Sequence, residues 1–434
     1  MKHNILKIIV IMLLPTLSYA QQPTNNVVYR LTLEDCLNFA FRNSYNRQVM
    51  KLSEEAKESV YHYSRHERIP SVSASLSETF NNTNSTGSSW GGSVGVNANW
   101  MITQGGSINN NIKQSKLQME QASYQTSQYD NELTIQILQA FLTALGNEEL
   151  LKVQESLLTA SEEQLEQGKI KYNVGQILES DYLMLQAQYA SDKNNIVDTR
   201  ISRDNSLMTL KILLSLDPLT ELAIVYPDTS ALDAMAVLPS AQEVLDQAIS
   251  TLPDLKISQY NIDIAKIGVK VSQSNYYPSL SLGASIGTGH TDFNNFGTQL
   301  SDRFNQQVGL SLSVPIYSKS KTKASVVQSR IALQQAELDQ LQTELNIRQT
   351  VVQEYQNVTS AYSKYEASTI KENAYLKTFE AYRVQFEAGA ITAVDLLQQQ
   401  NNYISALNDY IQSKYGFMLK RKILDIYMGI PVTM

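Results

Sequence analysis

Few residues in this 434-residue sequence have the types and spacing that catalysis or metal binding requires. His62 and His66 stand four residues apart on a predicted helix, a spacing at which two imidazoles can hold one metal ion. The segment has neither the glutamate of an HExxH motif nor a thiol, so a solvent-exposed helix face is the simpler interpretation. The sequence also has no GxxxxGK[ST] phosphate-binding loop and no recognisable Ser/His/Asp spacing. We therefore predict no enzyme, no metal site and no cofactor.

Other reactive side chains have simple structural interpretations. Asp181 and Asp395 each follow a glycine by six residues, at the predicted start of a helix, where the helix dipole stabilises a carboxylate. Cys36, the single cysteine, is predicted to be a small apolar residue on a helix face. His290 follows a predicted strand, and we expect it to be exposed.

The first 20 residues are predicted to be a signal peptide, so the mature chain is exported. Lys2 and Lys7 accompany an apolar run over residues 8–14, and Ser18 and Ala20 are the small residues of the cleavage site. The chain has a formal net charge of −7, which becomes more negative when these two lysines are removed. We therefore predict no nucleic-acid partner.

Four stretches alternate apolar and polar residues, which predicts strands over residues 71–81, 91–102, 279–289 and 307–316. Trp90 and Trp100 stand ten residues apart on one apolar face. At ~3.3 Å per residue and a tilt of ~40°, they would lie about 25 Å apart, the height of the apolar band of a membrane barrel. Trp90, Trp100 and Tyr317 are predicted membrane-interface aromatics. The alternation alone fits the half-buried strands of a soluble sandwich equally well.

Two long stretches without proline predict two giant helical hairpins. The first helix should run from residues 105–106 towards Gly168, with breaks at Gly168 and Gly175, and return over about 178–214. The second should run over about 320–387, break at Gly389 and return over about 393–427. A helix of about 60 residues is roughly 90 Å long, which no single globular core contains.

The two halves are predicted to be an internal two-fold repeat, because residues 170–189 align with residues 384–403. We expect a signal peptide (1–20), a first repeat (21–217), a linker or equatorial segment (218–239) with a short strand near 223–226, and a second repeat (240–434). Residues 81–89 and 291–305 are expected to be water-exposed loops. Four strands cannot close a barrel, so several chains must share one if these strands enter a membrane.

The glycine-centred segments YNVGQILESDY and FEAGAITAVDLL, the strand openings PSVSASL and PSLSLGAS, and the opening LTLEDCLNFAFRNS resemble the TolC family of outer-membrane efflux proteins. The resemblance implies an α+β membrane protein of the cell outer membrane that extends into the periplasm. It further implies a homotrimer in which four transmembrane strands per chain form a 12-strand β-barrel and the helical hairpins form a periplasmic α-barrel. The expected partners are outer-membrane lipid, a periplasmic adaptor (membrane fusion) protein, and an inner-membrane pump of the resistance-nodulation-division or ABC type.

The resemblance also implies that the glycine breaks lie at the periplasmic entrance, where an adaptor docks. Three family positions that close this entrance with a tyrosine hydroxyl, an arginine and a second acid are Phe386, Ile391 and Gln398 here, so the closing network must differ. Three copies of Asp395 around an axis would form an acidic ring that favours cations. The predicted docking and entrance residues are Val174, Gly175, Ser180, Asp181, Ala388, Gly389, Thr392 and Asp395.

The resulting hypothesis is an exit duct for efflux or type I secretion, with drugs, metal ions and secreted polypeptides all open as cargo. The alternative is a soluble periplasmic coiled-coil scaffold or adaptor. That alternative predicts strand faces that pack on one another and bury Trp90 and Trp100. An adaptor would also need a compact lipoyl-like or barrel domain flanking one hairpin, whereas the sequence indicates two hairpins and no such domain.

Overall fold

The computed structural model describes residues 29–83, 87–226, 237–292 and 294–432. The predicted signal peptide and residues 227–236 of the predicted linker lie outside this range. Among the described helices, none has a stretch long and apolar enough to cross a membrane.

Two pairs of long helices dominate the chain. Helices α3 and α8 each have 67 residues, which is about 100 Å at ~1.5 Å per residue, and α4 and α9 each have 35. These bounds confirm the predicted hairpins. The described helices are α1 (Leu33–Asn43), α2 (Tyr45–Ser64), α3 (Ser107–Asn173), α4 (Glu179–Leu213), α5 (Ala241–Thr251), α6 (Pro253–Ser274), α7 (Phe296–Asp302), α8 (Lys321–Glu387) and α9 (Ala393–Tyr427).

The predicted helix break at Gly168 is wrong, because α3 continues through it to Asn173. Gly168 is buried against Leu185 of α4, whose side chain occupies the space that a Cβ would need. This glycine allows close packing of two helices, whereas Gly175 ends the helix. The sequence alone gave the same residue type at both positions and no means of separating the two roles.

Four antiparallel strands form one sheet in the order β2 (Ser71–Thr83), β3 (Gly87–Gln104), β5 (Ser279–His290) and β6 (Asn305–Ser313). They confirm the four predicted strands, although β6 ends before Pro315, which cannot donate to a ladder. Apolar residues of all four strands share one face, and Leu76 and Val308 on the two outer strands are each 76% exposed. A short parallel pair, β1 (Tyr29–Leu31) and β4 (Leu222–Ile224), lies elsewhere and confirms the predicted strand near residue 223.

Three local predictions at one end of the sheet are wrong. Residues 81–83 belong to β2 and residues 87–89 to β3, so most of the predicted loop over 81–89 is strand. Residues 291–305 contain the helix α7 and are not only a loop. His290 is only 5% exposed, because its ring packs edge-on against Phe296 of α7 and its Nε2 lies 2.8 Å from Glu78 Oε1. Glu78 reaches across β3 because Gly92, between them, has no side chain.

The histidine pair does not share a helix. His62 lies on α2 and His66 in the 3₁₀ turn that follows, and both are exposed. Within the described residues, no group of three or more His, Cys, Asp or Glu side chains is placed to hold a metal ion. Cys36 is fully buried on α1, as predicted, and burial raises the pKa of its thiol to about 12.

Next to the sheet, four helices lie side by side in the order α2, α3, α6 and α8. Farther away, α3 pairs with α4 and α8 pairs with α9, and the main apolar core lies between these regions. Neighbouring helices near the sheet are tied by Arg47 Nε to Asp130 Oδ1 at 2.7 Å, Gln121 Nε2 to Asn261 Oδ1 at 2.6 Å, and Ser272 Oγ to Ser329 Oγ at 2.7 Å.

Candidate docking and entrance site

The two hairpins turn through the same set of hydrogen bonds. At the end of α3, the N–H of Gly175 donates to Tyr172 O at 2.9 Å and the N–H of Gln176 to Lys171 O at 2.8 Å. This pair of bonds is a Schellman motif, which ends a helix with one left-handed residue. The second turn has the equivalent bonds, from Gly389 to Phe386 O at 3.0 Å and from Ala390 to Gln385 O at 2.9 Å.

Both turns need glycine for backbone reasons alone. Gly175 and Gly389 have the same φ of +74°, which L side chains rarely adopt. A Cβ on either residue would meet no atom within 4 Å, so packing does not demand glycine here. The backbone of both glycines therefore lies on an open surface.

The return helices begin differently in the two hairpins. Thr392 and Asp395 form a capping box at the start of α9, in which Asp395 Oδ2 accepts from Thr392 Oγ1 at 2.7 Å and from its N–H at 3.2 Å. Helix α4 has no side-chain cap, although Asp181 lies in its first turn. For Asp395, the structural interpretation as a helix-start acid is confirmed.

A lysine ties the first hairpin to the second. Lys171 Nζ donates to Phe386 O at 2.8 Å and to Glu387 O at 3.1 Å, and it lies 4.8 Å from the Phe386 ring centroid. These carbonyls are the last acceptors of α8, where the helix dipole favours a cation. This contact was not predicted from the sequence. A lysine near a helix end is visible in a sequence, but its partner on another helix is not.

Next to this contact of Lys171, an apolar cluster joins α4, α8 and α9. It includes Phe386, which is 3% exposed, and Leu396, which is fully buried, and Ile391 packs at its side. Phe386 thus contributes an apolar ring and a backbone carbonyl at this position. Gln398 is exposed on α9, and its side chain makes no hydrogen bond within the described chain.

Farther along the helices from the turns, a buried cluster of polar side chains joins α3, α4 and α9. The Asp192 carboxylate accepts hydrogen bonds from Ser161 Oγ, from Gln188 Nε2 at 2.8 Å and from Gln400 Nε2 at 3.3 Å. Gln400 is fully buried and Asp192 is 5% exposed. Burial raises the pKa of Asp192, and the three hydrogen bonds oppose that shift.

Several apolar side chains are exposed at the tips among polar ones. Val174 and Leu178 at the first turn are 66% and 71% exposed, and Val394 at the second is 47% exposed. Exposed apolar side chains beside an open backbone turn are typical of a protein-binding surface. The remaining predicted tip residues, Ser180 on α4 and Ala388 beside Gly389, are also exposed.

The predicted interface aromatics lie on the sheet and at its helical end. Trp90 is 47% exposed and its ring lies 5.2 Å from that of Phe80. Trp100 donates from Nε1 to Arg68 O at 2.9 Å, which fixes its indole at the junction with the helices. Tyr317 is 81% exposed.

Comparison with known proteins gives consistent relatives. The sequence model of the family described as "Outer membrane efflux protein" matches residues 40–215 and 244–421. The alkaline protease secretion protein AprF of Pseudomonas aeruginosa is 25% identical over 69% of this chain and 62% of its own length. The outer membrane protein TolC of Vibrio cholerae is 22% identical over 79% of this chain and 80% of its own. The fold is that of the Campylobacter jejuni CmeC outer membrane channel, with a TM-score of 0.75 at 16% identity over 92% of this chain and 85% of that one.

Proposed function

Because the chain belongs to the outer membrane efflux protein family, we propose that three copies of it form one exit duct through the outer membrane and across the periplasm. Members of this family are outer-membrane transport channels and not enzymes. The proposal goes beyond the family in four respects: the trimer, its shared barrel, its docking partners and its cargo.

One observation carries the proposal: the sheet and the helical layer are open at the same two edges. The sheet begins with β2 and ends with β6, and the helical layer begins with α2 and ends with α8. Helix α2 leads directly into β2, and β6 leads directly into α8. A second copy that pairs with one edge of the sheet is therefore also placed to pack against the same edge of the helices.

The helices at the two open edges, α2 and α8, expose apolar side chains, as protein contact surfaces do. On α2, Val49 and Leu52 are 61% and 62% exposed, and Tyr63 is 70% exposed. On α8, Leu338 and Leu345 are 65% and 61% exposed. Val49 and Leu52 are three residues apart and Leu338 and Leu345 are seven apart, and both spacings place side chains on one face of a helix. An unpaired strand edge in hydrocarbon leaves backbone groups without partners, so a closed ring of copies satisfies both layers. Twelve strands from three copies is a barrel size found in outer membranes.

The equal lengths of the two long helices, the equal lengths of the two return helices and the matching glycine turns support the proposed internal repeat. With this repeat, three copies present six similar tips to the periplasm. The domain division predicted from the sequence, with repeats over 21–217 and 240–434, is part of this proposal.

The tips are the proposed docking site for a periplasmic adaptor, through which an inner-membrane pump supplies the energy. Support comes from the exposed apolar residues at the turns and from the absence of a nucleotide-binding loop in the sequence. We propose that the tie from Lys171 to the end of α8 replaces the family's tyrosine and arginine contacts in holding the entrance closed. Asp181 and Asp395, repeated three times, would favour cations at the entrance.

The alternative of a soluble scaffold required buried indoles and sheet faces packed on one another. Trp90 is 47% exposed, and the apolar face of β6 is uncovered over its described length. These observations favour the duct.

Reconstitution in planar bilayers tests the proposal. Purified protein should give discrete channels, and it should migrate as a trimer before heating and as a monomer after heating. A folded preparation that never conducts and fractionates with soluble periplasmic proteins would contradict it.

A further inference from the structure

The chain passes between the sheet and the helices at four places, and the charges there are unlike those of the whole chain. The crossings are residues 65–70, 105–106, 275–278 and 314–320. Together with the first turn of α8, they contain one acidic residue, Glu67, in a chain of net charge −7. The basic residues of this zone, which we name the basic junction, are Arg65, Arg68, Lys319, Lys321 and Lys323.

The lysines of the last crossing occupy positions that the local structure disfavours. The two residues before α3 are Gly105 and Gly106, with φ of +58° and +85°. The two residues before α8 are Lys319 and Ser320, with φ of +47° and +61°. Left-handed backbone is readily adopted by glycine and is strained for lysine and serine. The crossing before α8 therefore has a strained lysine where the crossing before α3 has an unstrained glycine.

Lys321 and Lys323 are disfavoured for an electrostatic reason. Both lie in the first turn of α8, which has no acidic residue. The positive end of the helix dipole destabilises cations at this place. Where several local rules are broken at one site, the site is a candidate for function.

In the part of the chain that the structure describes, no acidic partner accounts for these charges. Lys319, Lys321 and Lys323 are exposed, and within the described residues none has a carboxylate within 4.0 Å. The first acidic residue of α8 is Glu337, about 24 Å along the helix at ~1.5 Å per residue. The three ammonium groups are thus available to an external anion.

The surface beside the lysines indicates which anion. The apolar face of β6 continues past the strand through Val314 and Ile316, which are 54% and 95% exposed, to Tyr317, which is 81% exposed. Tyr276 and Tyr277 of the neighbouring crossing are 51% and 62% exposed. An apolar face that ends in tyrosines and then lysines matches the order of a bilayer, from hydrocarbon through the interface to the headgroups.

We propose that the basic junction binds anionic phospholipid headgroups of the leaflet that faces the helices, with Lys319, Lys321 and Lys323 as its main contacts. The phosphate charge compensates the unfavourable placement of these lysines at the start of α8. Binding fixes the depth at which the sheet sits and the point from which the long helices project. The proposal rests on the membrane placement of the strands.

Native mass spectrometry of the purified protein in nonionic detergent tests this. Dioleoylphosphatidylglycerol should bind the wild type more tightly than dioleoylphosphatidylcholine, and its binding should weaken as sodium chloride is raised. A variant with Lys319→Gly, Lys321→Gln and Lys323→Gln should lose phosphatidylglycerol affinity by about fivefold per lysine, on the order of a hundredfold in all. Equal binding of the two lipids by the wild type would overturn the proposal.

Two further variants separate lipid binding from folding and from total charge. Lys319→Gly alone should lower phosphatidylglycerol affinity while raising the thermal unfolding midpoint without lipid, because glycine relieves the left-handed strain. Lys193→Gln with Lys364→Gln and Lys377→Gln removes the same charge from exposed positions on the long helices and should leave lipid affinity within twofold of the wild type. An equal loss in this control would contradict a specific site.

The membrane placement is checked separately by fractionation. Wild-type protein that is absent from the outer-membrane fraction would contradict the proposed duct itself. Protein that inserts and conducts, but does not distinguish the two lipids, would contradict the basic junction alone.

Discussion

Replacement of Lys171 by methionine tests whether the contact between the hairpin tips holds the entrance closed. Methionine keeps an unbranched side chain of similar length but has no charge and no N–H donor. The lost interactions are the hydrogen bonds to Phe386 O at 2.8 Å and Glu387 O at 3.1 Å. Lys171→Met should therefore shift the entrance towards its open state.

The size of the shift follows from the environment of Lys171. Hydrogen bonds to a charged group contribute about 1.5–3 kcal/mol when buried, and partial solvent exposure reduces this to about 1 kcal/mol per copy. Three copies then contribute about 3 kcal/mol, which is roughly a hundredfold in the equilibrium between closed and open entrances.

Single-channel recording in planar bilayers measures this equilibrium as the fraction of time spent in the high-conductance state. The matched control is Lys169→Met, two residues away and exposed, with no ion pair or hydrogen bond within the described chain. An open fraction for Lys171→Met within threefold of both the wild type and this control would refute the closing role.

Three further changes test other parts of the structure. Gly175→Asp or Gly389→Asp should weaken cross-linking to the adaptor while the barrel still shows heat-dependent migration, because each places a charge on an open turn beside exposed apolar side chains; unchanged export and cross-linking in both would count against the tip assignment. Burial raises the pKa of Asp192 above 3.8, so this carboxyl contributes most to stability when protonated and destabilises the fold as the pH rises through its raised pKa. Thermal melts from pH 4 to 8 should therefore show a weaker pH dependence for Asp192→Asn, and a steeper one would be inconsistent with this assignment. Leu310→Arg, on the apolar face of β6, should reduce outer-membrane assembly by an amount equivalent to about 2–4 kcal/mol, whereas Ser311→Arg on the opposite face should assemble normally; equal assembly of the two variants would contradict the assigned membrane face.

The long helices and the strands were predictable because the pattern of apolar and polar residues that indicates each of them extends over many residues. Proline-free stretches and helix formers gave the α8 and α9 bounds almost to the residue, and the alternation around Trp90 gave β3. Gly175 and Gly389 were identified as turns because glycine at a helix end has a local role that the sequence alone conveys.

Features that depend on distant partners were not predictable. Gly168 looked like a break, but its role is set by Leu185 on another helix. His290 was expected to be exposed, but a short helix and Glu78 from two strands away cover it. The contact of Lys171 with the end of α8 joins residues more than two hundred positions apart, and no local pattern encodes it.

The central claim is that the two open edges of one chain are closed by further copies of the same chain. Native mass spectrometry of protein extracted from the outer membrane measures the number of chains directly. A mass of three mature chains, with α2 of one copy cross-linked to α8 of the next, is the predicted result. A folded and stable monomer under the same conditions would contradict it.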